Sequence, residues 1–219
     1  MLVRAGATDI ALVDGDQVEA GNVCRHTATL ADVGKKKVQV VAQRLRQISP
    51  AVRVVEVSQS LGGEMKTMVD QLEPYDVVID CSASDDLAAL LSRGWWSVPR
   101  LFVSFSLGYG AKQLYSFGVS GHAFPQQDFV ADLRPWIEHD AATWPDKEMF
   151  EGAGCWSPFF PARYDDVLLA ASVCVKEIET LIAGLPTVPR FRVFVQNASD
   201  EGFNGFVPAA FPPAQAKAL

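Results

Sequence analysis

Residues 9–26 read DIALVDGDQVEAGNVCRH, and the fold turns on their first half. Asp9 to Val13 is a short apolar run that stops at Asp14, the pattern of a strand buried on both faces in a parallel sheet. Two acids one residue apart, Asp14 and Asp16, end it, and Asn22, Arg25 and His26 follow in the next loop. A carboxylate at the end of a core strand can accept from both vicinal hydroxyls of a ribose, which a neutral side chain does less strongly. Arg25 and Lys37 could supply positive charge for phosphates, the first as a planar fork and the second as a point charge at a helix start. Each residue taken singly also has an ordinary reading: Asp as a turn former or helix cap, Arg or Lys as a solvated surface charge.

Working outward, Asp32 is a plausible N-cap, and Val38, Val41, Leu45 and Ile48 recur at helical intervals until Ser49 and Pro50 stop them. VRVVEV (52–57) reads as a strand, Glu64 to Leu72 as a helix broken by Pro74, and DVVIDCS (76–82) as a third buried strand. This alternation implies right-handed crossovers and a parallel sheet. A helix from Asp86 to Arg93 leads to RLFVSFSL (100–107), a turn at GYGAK (108–112) and QLYSFGV (113–119), which read as a hairpin adding antiparallel strands to the sheet edge. Residues 125–154 lose the pattern and are expected to form a long crossover loop, either a functional lid or partly disordered. Asp165 or Asp166 to Ile182 is a largely apolar helix expected to run through the core, and FRVFVQ (191–196) a last strand. The expected fold is α/β: a Rossmann-like, mostly parallel sheet with helices on both faces and an antiparallel extension. It should occupy 1–196 as one domain, with 197–219, rich in Pro, Ala and Gly, as a tail that buries little.

Composition narrows the function. With 219 residues and 49% hydrophobic content the chain can close one sizeable core, and no apolar run is long enough to cross a bilayer. A net charge of −7 disfavours a nucleic-acid partner, because non-specific affinity for the phosphate backbone needs clustered Lys and Arg. Cys24, Cys81, Cys155 and Cys174 form no CxxC pair, so no structural zinc is expected, and reduced thiols fit a cytoplasmic protein. The start, MLVRAGATDI, shows no secretory leader and looks like the end of a helix followed by a strand. His26, His122 and His139 have no ligand spacing and are expected to be solvated or core residues.

The order LVRAG…DIALVDGDQVEAGNVCRHT…ADVGKKKVQVVAQRLRQISPAVRV…DVVIDCS resembles the ThiF/MoeB/HesA family, the ubiquitin-activating-enzyme-like adenylyltransferases, over roughly the first hundred residues. The family pattern is a strand ending in VDxDxVExxNLxRQ, then VGxxK opening a helix, then INP, then DVVxDCxD. The resemblance implies ATP as the nucleotide, with Asp14 on the ribose. Asp16 and Asn22 would shape the loop and approach the phosphates, and Arg25 and Lys37 would contact them. It implies activation of the C-terminal carboxylate of a ubiquitin-like or sulfur-carrier protein as an acyl-adenylate, a step of orientation and charge stabilisation. Cys155, in GAGCWSP (152–158), stands where family members often carry a loop cysteine that takes the acyl group as a thioester or handles sulfur. A structural cysteine is the alternative there. Dimerisation, with a second copy or a related subunit, is also implied.

Three features depart from the pattern. The sequence opens at the end of the helix that follows the family's glycine-rich phosphate loop, so that loop is expected to be missing. The DCxD acid that would hold Mg²⁺ is Ala83, leaving Asp80, Asp85 or Asp86 as carboxylates for a metal. The paired CxxC zinc motifs are absent. Three readings follow: an N-terminally shortened adenylyltransferase; a catalytically degenerate binding module that docks a ubiquitin-like protein or an active subunit; and a Rossmann dehydrogenase, which the Arg25 and Lys37 spacing opposes.

Overall fold

The computed structural model describes residues 1–59, 65–94, 96–143 and 162–210, with the backbone alone at 65–68. Strand β1 (Asp9–Val13) pairs in parallel with β2 (Arg53–Val57), Ile10 opposite Val54 and Leu12 opposite Glu56. Helix α1 (Lys37–Ile48) connects them and buries Val38, Val40 and Ala42. Asp32 does not cap this helix: it sits in a short 3₁₀ turn, Leu30–Asp32, ahead of it. After helix α2 (Met65–Leu72), β3 (Val77–Asp80) pairs in parallel with β4 (Arg100–Leu107), joined by α3 (Asp85–Arg93). Ser84 caps α3 by accepting the Leu87 N–H at 3.2 Å. Strands β5 (Gln113–Gly121), β6 (Arg190–Ser199) and β7 (Gly202–Ala209) continue the β3–β4 sheet in antiparallel order. Helices α4 (Gln126–Thr143) and α5 (Tyr164–Gly184) complete the elements.

The α/β class holds, with parallel pairs and an antiparallel extension, while four local expectations change. Residues 125–154 are not wholly irregular: 126–143 form α4, whose Phe129, Val130, Leu133 and Trp136 pack inward at helical spacing. Pro135 inside that helix masks it in the sequence, because proline removes a donor and ordinarily breaks a helix. Residues 197–219 are not all tail: β6 continues to Ser199 and Gly202–Ala209 form β7. Gly202 and Gly205 take positive φ there and the register shifts at Asn197/Ala198, so bends interrupt the period-two pattern that would have revealed the strand. Helix α5 covers one sheet face rather than crossing the core, burying Ala170, Glu177, Ile178 and Leu181 and leaving Leu168 and Ile182 exposed. Strand β1 is half-buried rather than fully buried. Among the described residues it pairs only with β2, and β3 only with β4, so the two groups form separate sheets.

The core lies on the two faces of β4 and β5. On one, Trp96, Phe102, Phe117, Phe124 and Phe129 pack edge to face, with Phe117 5.5 Å from Phe124 and 5.3 Å from Phe129 between ring centroids. On the other, Leu101, Val103, Phe105 and Leu114 meet Ile178 and Leu181 of α5. Gly118 of β5 is what lets α5 settle there. A Cβ at that position would lie 2.6 Å and 2.7 Å from the two terminal methyls of Leu181, itself 1% exposed. Gly118→Ala is therefore expected to cost about 1–3 kcal/mol through overpacking, read as a lower urea midpoint at unchanged m-value. An unchanged midpoint would show that α5 moves away freely.

Candidate functional site

The first candidate residues lie on a strap, 14–18, laid against the turn that enters α1. The Asp14 N–H donates to the Val57 carbonyl at 3.1 Å, extending the β1–β2 ladder, and Asp14 Oδ1 accepts the Asp16 N–H at 2.8 Å. An aspartate suits this place because its short carboxylate closes such a turn on the backbone two residues on. The other side of the strap is stitched to 34–37: Val18 N–H to Lys35 carbonyl at 2.8 Å, Gly34 N–H to Val18 carbonyl at 2.8 Å, and Lys37 N–H to Asp16 carbonyl at 3.0 Å. Gly34 carries φ +86°, which glycine adopts without strain. Val18, packed with Ala28 and Val40 beneath, anchors the strap.

This stitching brings the cations in. Lys36 Nζ donates to the Gly15 carbonyl at 2.8 Å, and Lys37 Nζ donates to Asp16 Oδ2 at 2.7 Å. The Lys37 side chain is 15% exposed and that of Asp16 66%, so the pair is open to solvent chiefly from the acid's side. The turn is braced by Asp32, which accepts from the Thr29 N–H and hydroxyl, from Lys35 Nζ at 3.0 Å and from Arg44 at 3.1 Å. The Thr29 N–H first, then the Lys35 ammonium and Thr29 hydroxyl, hold its carboxyl far below the usual carboxylate range.

Asn22, Arg25 and His26 follow on the same loop. Asn22 is buried, and its Oδ1 accepts the Glu19 N–H at 3.1 Å while its carbonyl accepts the Arg25 N–H at 3.1 Å. It shapes the loop from inside. Arg25 is half-buried beside it. His26 Nδ1 accepts the Ala28 N–H at 2.9 Å, and Lys37, Arg44, Asp14 and Asp32 all act electrostatically on its ring. Burial first, then the Lys37 and Arg44 charges, push this imidazole below its ordinary value. Asp14, Asp16, Lys37 and His26 thus form one cluster at the C-terminal end of β1, with Asn22 and Arg25 on the loop that carries His26. The absence of metal-ligand spacing made His26 look incidental; its adjacency to Arg25 was the available signal.

The end of β3 is a second acid site. Asp80 is buried, and its Oδ1 accepts from the Ser82 N–H at 2.8 Å and hydroxyl at 2.6 Å, with Ser104 Oγ 3.5 Å from Oδ2. Ala83 follows at φ +52°, a conformation that Gly, Asn or Asp tolerates better. Asp85 and Asp86 are exposed in the first turn of α3. No group of three or more His, Cys, Asp or Glu side chains is arranged to hold a metal among the described residues.

Cys81, at the end of an apolar strand run, and Cys174, in mid-helix, read from the sequence as ordinary small core residues. Cys81 is exposed rather than a core residue and Cys174 is only partly buried. Surrounding protein, then Asp80, nevertheless pushes the Cys81 thiol up to about 11, and burial pushes Cys174 up to about 12. Neither is a thiolate at neutral pH. Cys24 is exposed and its Sγ donates to the Gly21 carbonyl at 3.3 Å. Cys155 lies outside the described residues. The recesses along α4, lined by residues such as Arg134, Glu138, Trp136 and Phe191, do not touch the β1 cluster.

Residues 1–93 match the ThiF family. Over 181 residues, 81% of this chain, the sequence is 34% identical to the ATP-dependent ubiquitin transferase-like protein Cap2 of Enterobacter hormaechei subsp. hoffmannii (strain UCI 50), covering 29% of it. Over 82 residues it is 35% identical to the sulfur carrier protein ThiS adenylyltransferase of Escherichia coli (strain K12), 37% of this chain and 32% of that one. The chain spans about a third or less of these curated relatives. In fold it is similar to E. coli MccB, solved with ATP, with a TM-score of 0.57 at 16% identity, covering 95% of this chain and 57% of MccB. No helix among the described residues is long and apolar enough to cross a membrane.

Proposed function

We propose that this chain, whose residues 1–93 belong to the ThiF family, binds ATP at the end of β1 and serves in adenylylating the C-terminal carboxylate of a ubiquitin-like or sulfur-carrier protein. The observation that carries this reading is the convergence of Asp14, Asp16, Lys37 and His26 through the strap-to-helix stitching. Asp14 Oδ1 is engaged by the Asp16 N–H, which leaves Oδ2 to accept from a ribose hydroxyl. Lys37, steadied by Asp16, supplies a cation for the phosphates, and Arg25 on the Asn22-shaped loop a second. In the reaction the carrier's carboxylate oxygen attacks the α-phosphorus and pyrophosphate leaves with the displaced electron pair. Cys155 thiolate then attacks the acyl carbon and AMP leaves. The residues suit the ribose and phosphates. They do not supply a ready Mg²⁺ set, because Asp80 is engaged by Ser82 and position 83 is alanine.

A second reading is favoured by Ala83 and by the β1 and β3 edges, each paired on one side only among the described residues. On it the chain docks a ubiquitin-like protein or a partner subunit, forming a dimer without turning over ATP. Carrier-dependent ATP–pyrophosphate exchange separates the two. Exchange establishes the first reading. Carrier or subunit docking without exchange establishes the second, and no binding of ATP, carrier or subunit defeats both. With exchange present, Cys155→Ser is expected to keep the exchange rate and lose a reductant-labile carrier adduct. Retention of that adduct would remove Cys155 from the chemistry.

A further inference from the structure

We propose that His26 is a ligand-contacting residue of this site: a neutral imidazole, locked as the Nε2–H tautomer, that donates to the nucleotide between Asp14 and Lys37. The inference rests on the nucleotide reading above and adds a residue and a pH dependence to it.

Geometry sets the tautomer. A backbone amide can only donate, so the Ala28 N–H at 2.9 Å requires a lone pair on His26 Nδ1, and in the neutral ring the proton then resides on Nε2. The ring is half-buried, and the charged groups that act on it are Lys37 and Arg44 on one side of the balance and Asp14 and Asp32 on the other. Two of these, Asp14 and Lys37, are the residues to which the proposed function gives the ribose and phosphates. A neutral donor is the useful group there. It adds a hydrogen bond to an anionic ligand without competing with Lys37 for Asp16, and it keeps the Nδ1 lone pair that holds 26–28 in place.

Protonation undoes this arrangement, because a second ring proton on Nδ1 would meet the Ala28 N–H head on. The sign of the pH effect follows. The folded chain holds the imidazole below its ordinary value of 6.5, so neutral His26 stabilises the fold above that pH. As pH falls through 6.5 the unfolded chain takes up a proton that the folded chain resists, and stability drops until the folded value is passed. Nucleotide affinity should fall at lower pH still, as the folded chain itself takes up the proton.

The test uses the whole 219-residue chain and Mg·ATP as the probe. Imidazole nitrogen NMR, with His26 assigned by the signal lost in His26→Gln, should show the Nε2–H tautomer at pH 7.5 and a midpoint below 6.5. Saturating ATP should shift that Nε2 resonance. By calorimetry His26→Ala should bind ATP about 10-fold more weakly, one hydrogen bond's worth, while His26→Gln, which keeps an N–H donor, should stay within about 3-fold and lose the pH dependence. If ATP binds but leaves Nε2 unmoved, or the ring is the Nδ1–H tautomer, the His26 role is overturned and the nucleotide site survives. If the wild-type chain does not bind ATP at all, both fall together.

Discussion

ATP–pyrophosphate exchange by Lys37→Ala is expected to fall about 100-fold or more at saturating carrier, the scale seen when a preorganised charge partner of a reacting group is removed. The reason is local. Lys37 is the first residue of α1, its backbone N–H is fixed by the Asp16 carbonyl, and its Nζ is held at 2.7 Å by Asp16. The cation is thus placed before any ligand arrives, and exchange gains from it without reorganisation. Lys37→Arg is not a safe substitute, because a planar fork cannot occupy a position shaped for a point charge beside one carboxylate oxygen. Asp14→Asn is the informative companion. Its amide oxygen still accepts the Asp16 N–H, so the strap should keep its shape, while the ribose loses an anionic acceptor and affinity drops about 10-fold. If Lys37→Ala exchanges at the wild-type rate with an unchanged melting temperature, phosphates do not bind at this strand end, and the nucleotide reading is lost with them.

How far the sequence alone reaches can be judged from particular elements. Strand β1 and the acids after it, helix α1, and the β4–β5 hairpin were legible because apolar runs and helical spacing act over a few neighbouring residues. Helix α4 was not, because Pro135 contradicts its local preference and only Trp136, Leu133 and Phe129 meeting the sheet override it. Strand β7 was hidden by positive-φ glycines and a register shift, features that packing against β6 selects rather than composition. The half-exposure of β1 and the separation of the two sheets depend on which edges pair, a non-local matter that a buried-looking run of Ile and Val does not announce. In the candidate cluster, the convergence of Asp14, Asp16 and Lys37 was legible because a strand end and a helix start position them. His26 was not, since its tautomer and charge environment arise from Ala28, Arg44 and Asp32 only once the loop closes. Cys155 falls outside the described residues.

Phe117→Ala is expected to remove about 3–5 kcal/mol of folding stability, against a total of roughly 5–15 kcal/mol for domains of this kind. Phe117 is fully buried in β5, opposite Ser104 of β4 and Phe191 of β6, so its ring is held from both neighbouring strands. Three of the aromatic contacts on that face, Phe117–Phe124, Phe117–Phe129 and Phe124–Phe129, close a triangle in which the removed ring is one corner. The strands cannot collapse into the void, because their spacing is fixed by the hydrogen-bond ladder on either side. Transfer and cavity penalties therefore add. The same cluster carries Val13, the last residue of β1 before Asp14, and Leu72, Ala88 and Leu91 from the helices flanking β3. Loosening it should weaken ATP binding although Phe117 is not part of the Asp14–Lys37 cluster, whereas Phe117→Leu, which refills most of the volume, should lose less stability and retain binding. Urea unfolding of the two variants, with ATP calorimetry on each, checks this. A loss below about 1 kcal/mol for the alanine variant would mean that the face can repack, and that the two sheets are not coupled through this aromatic cluster.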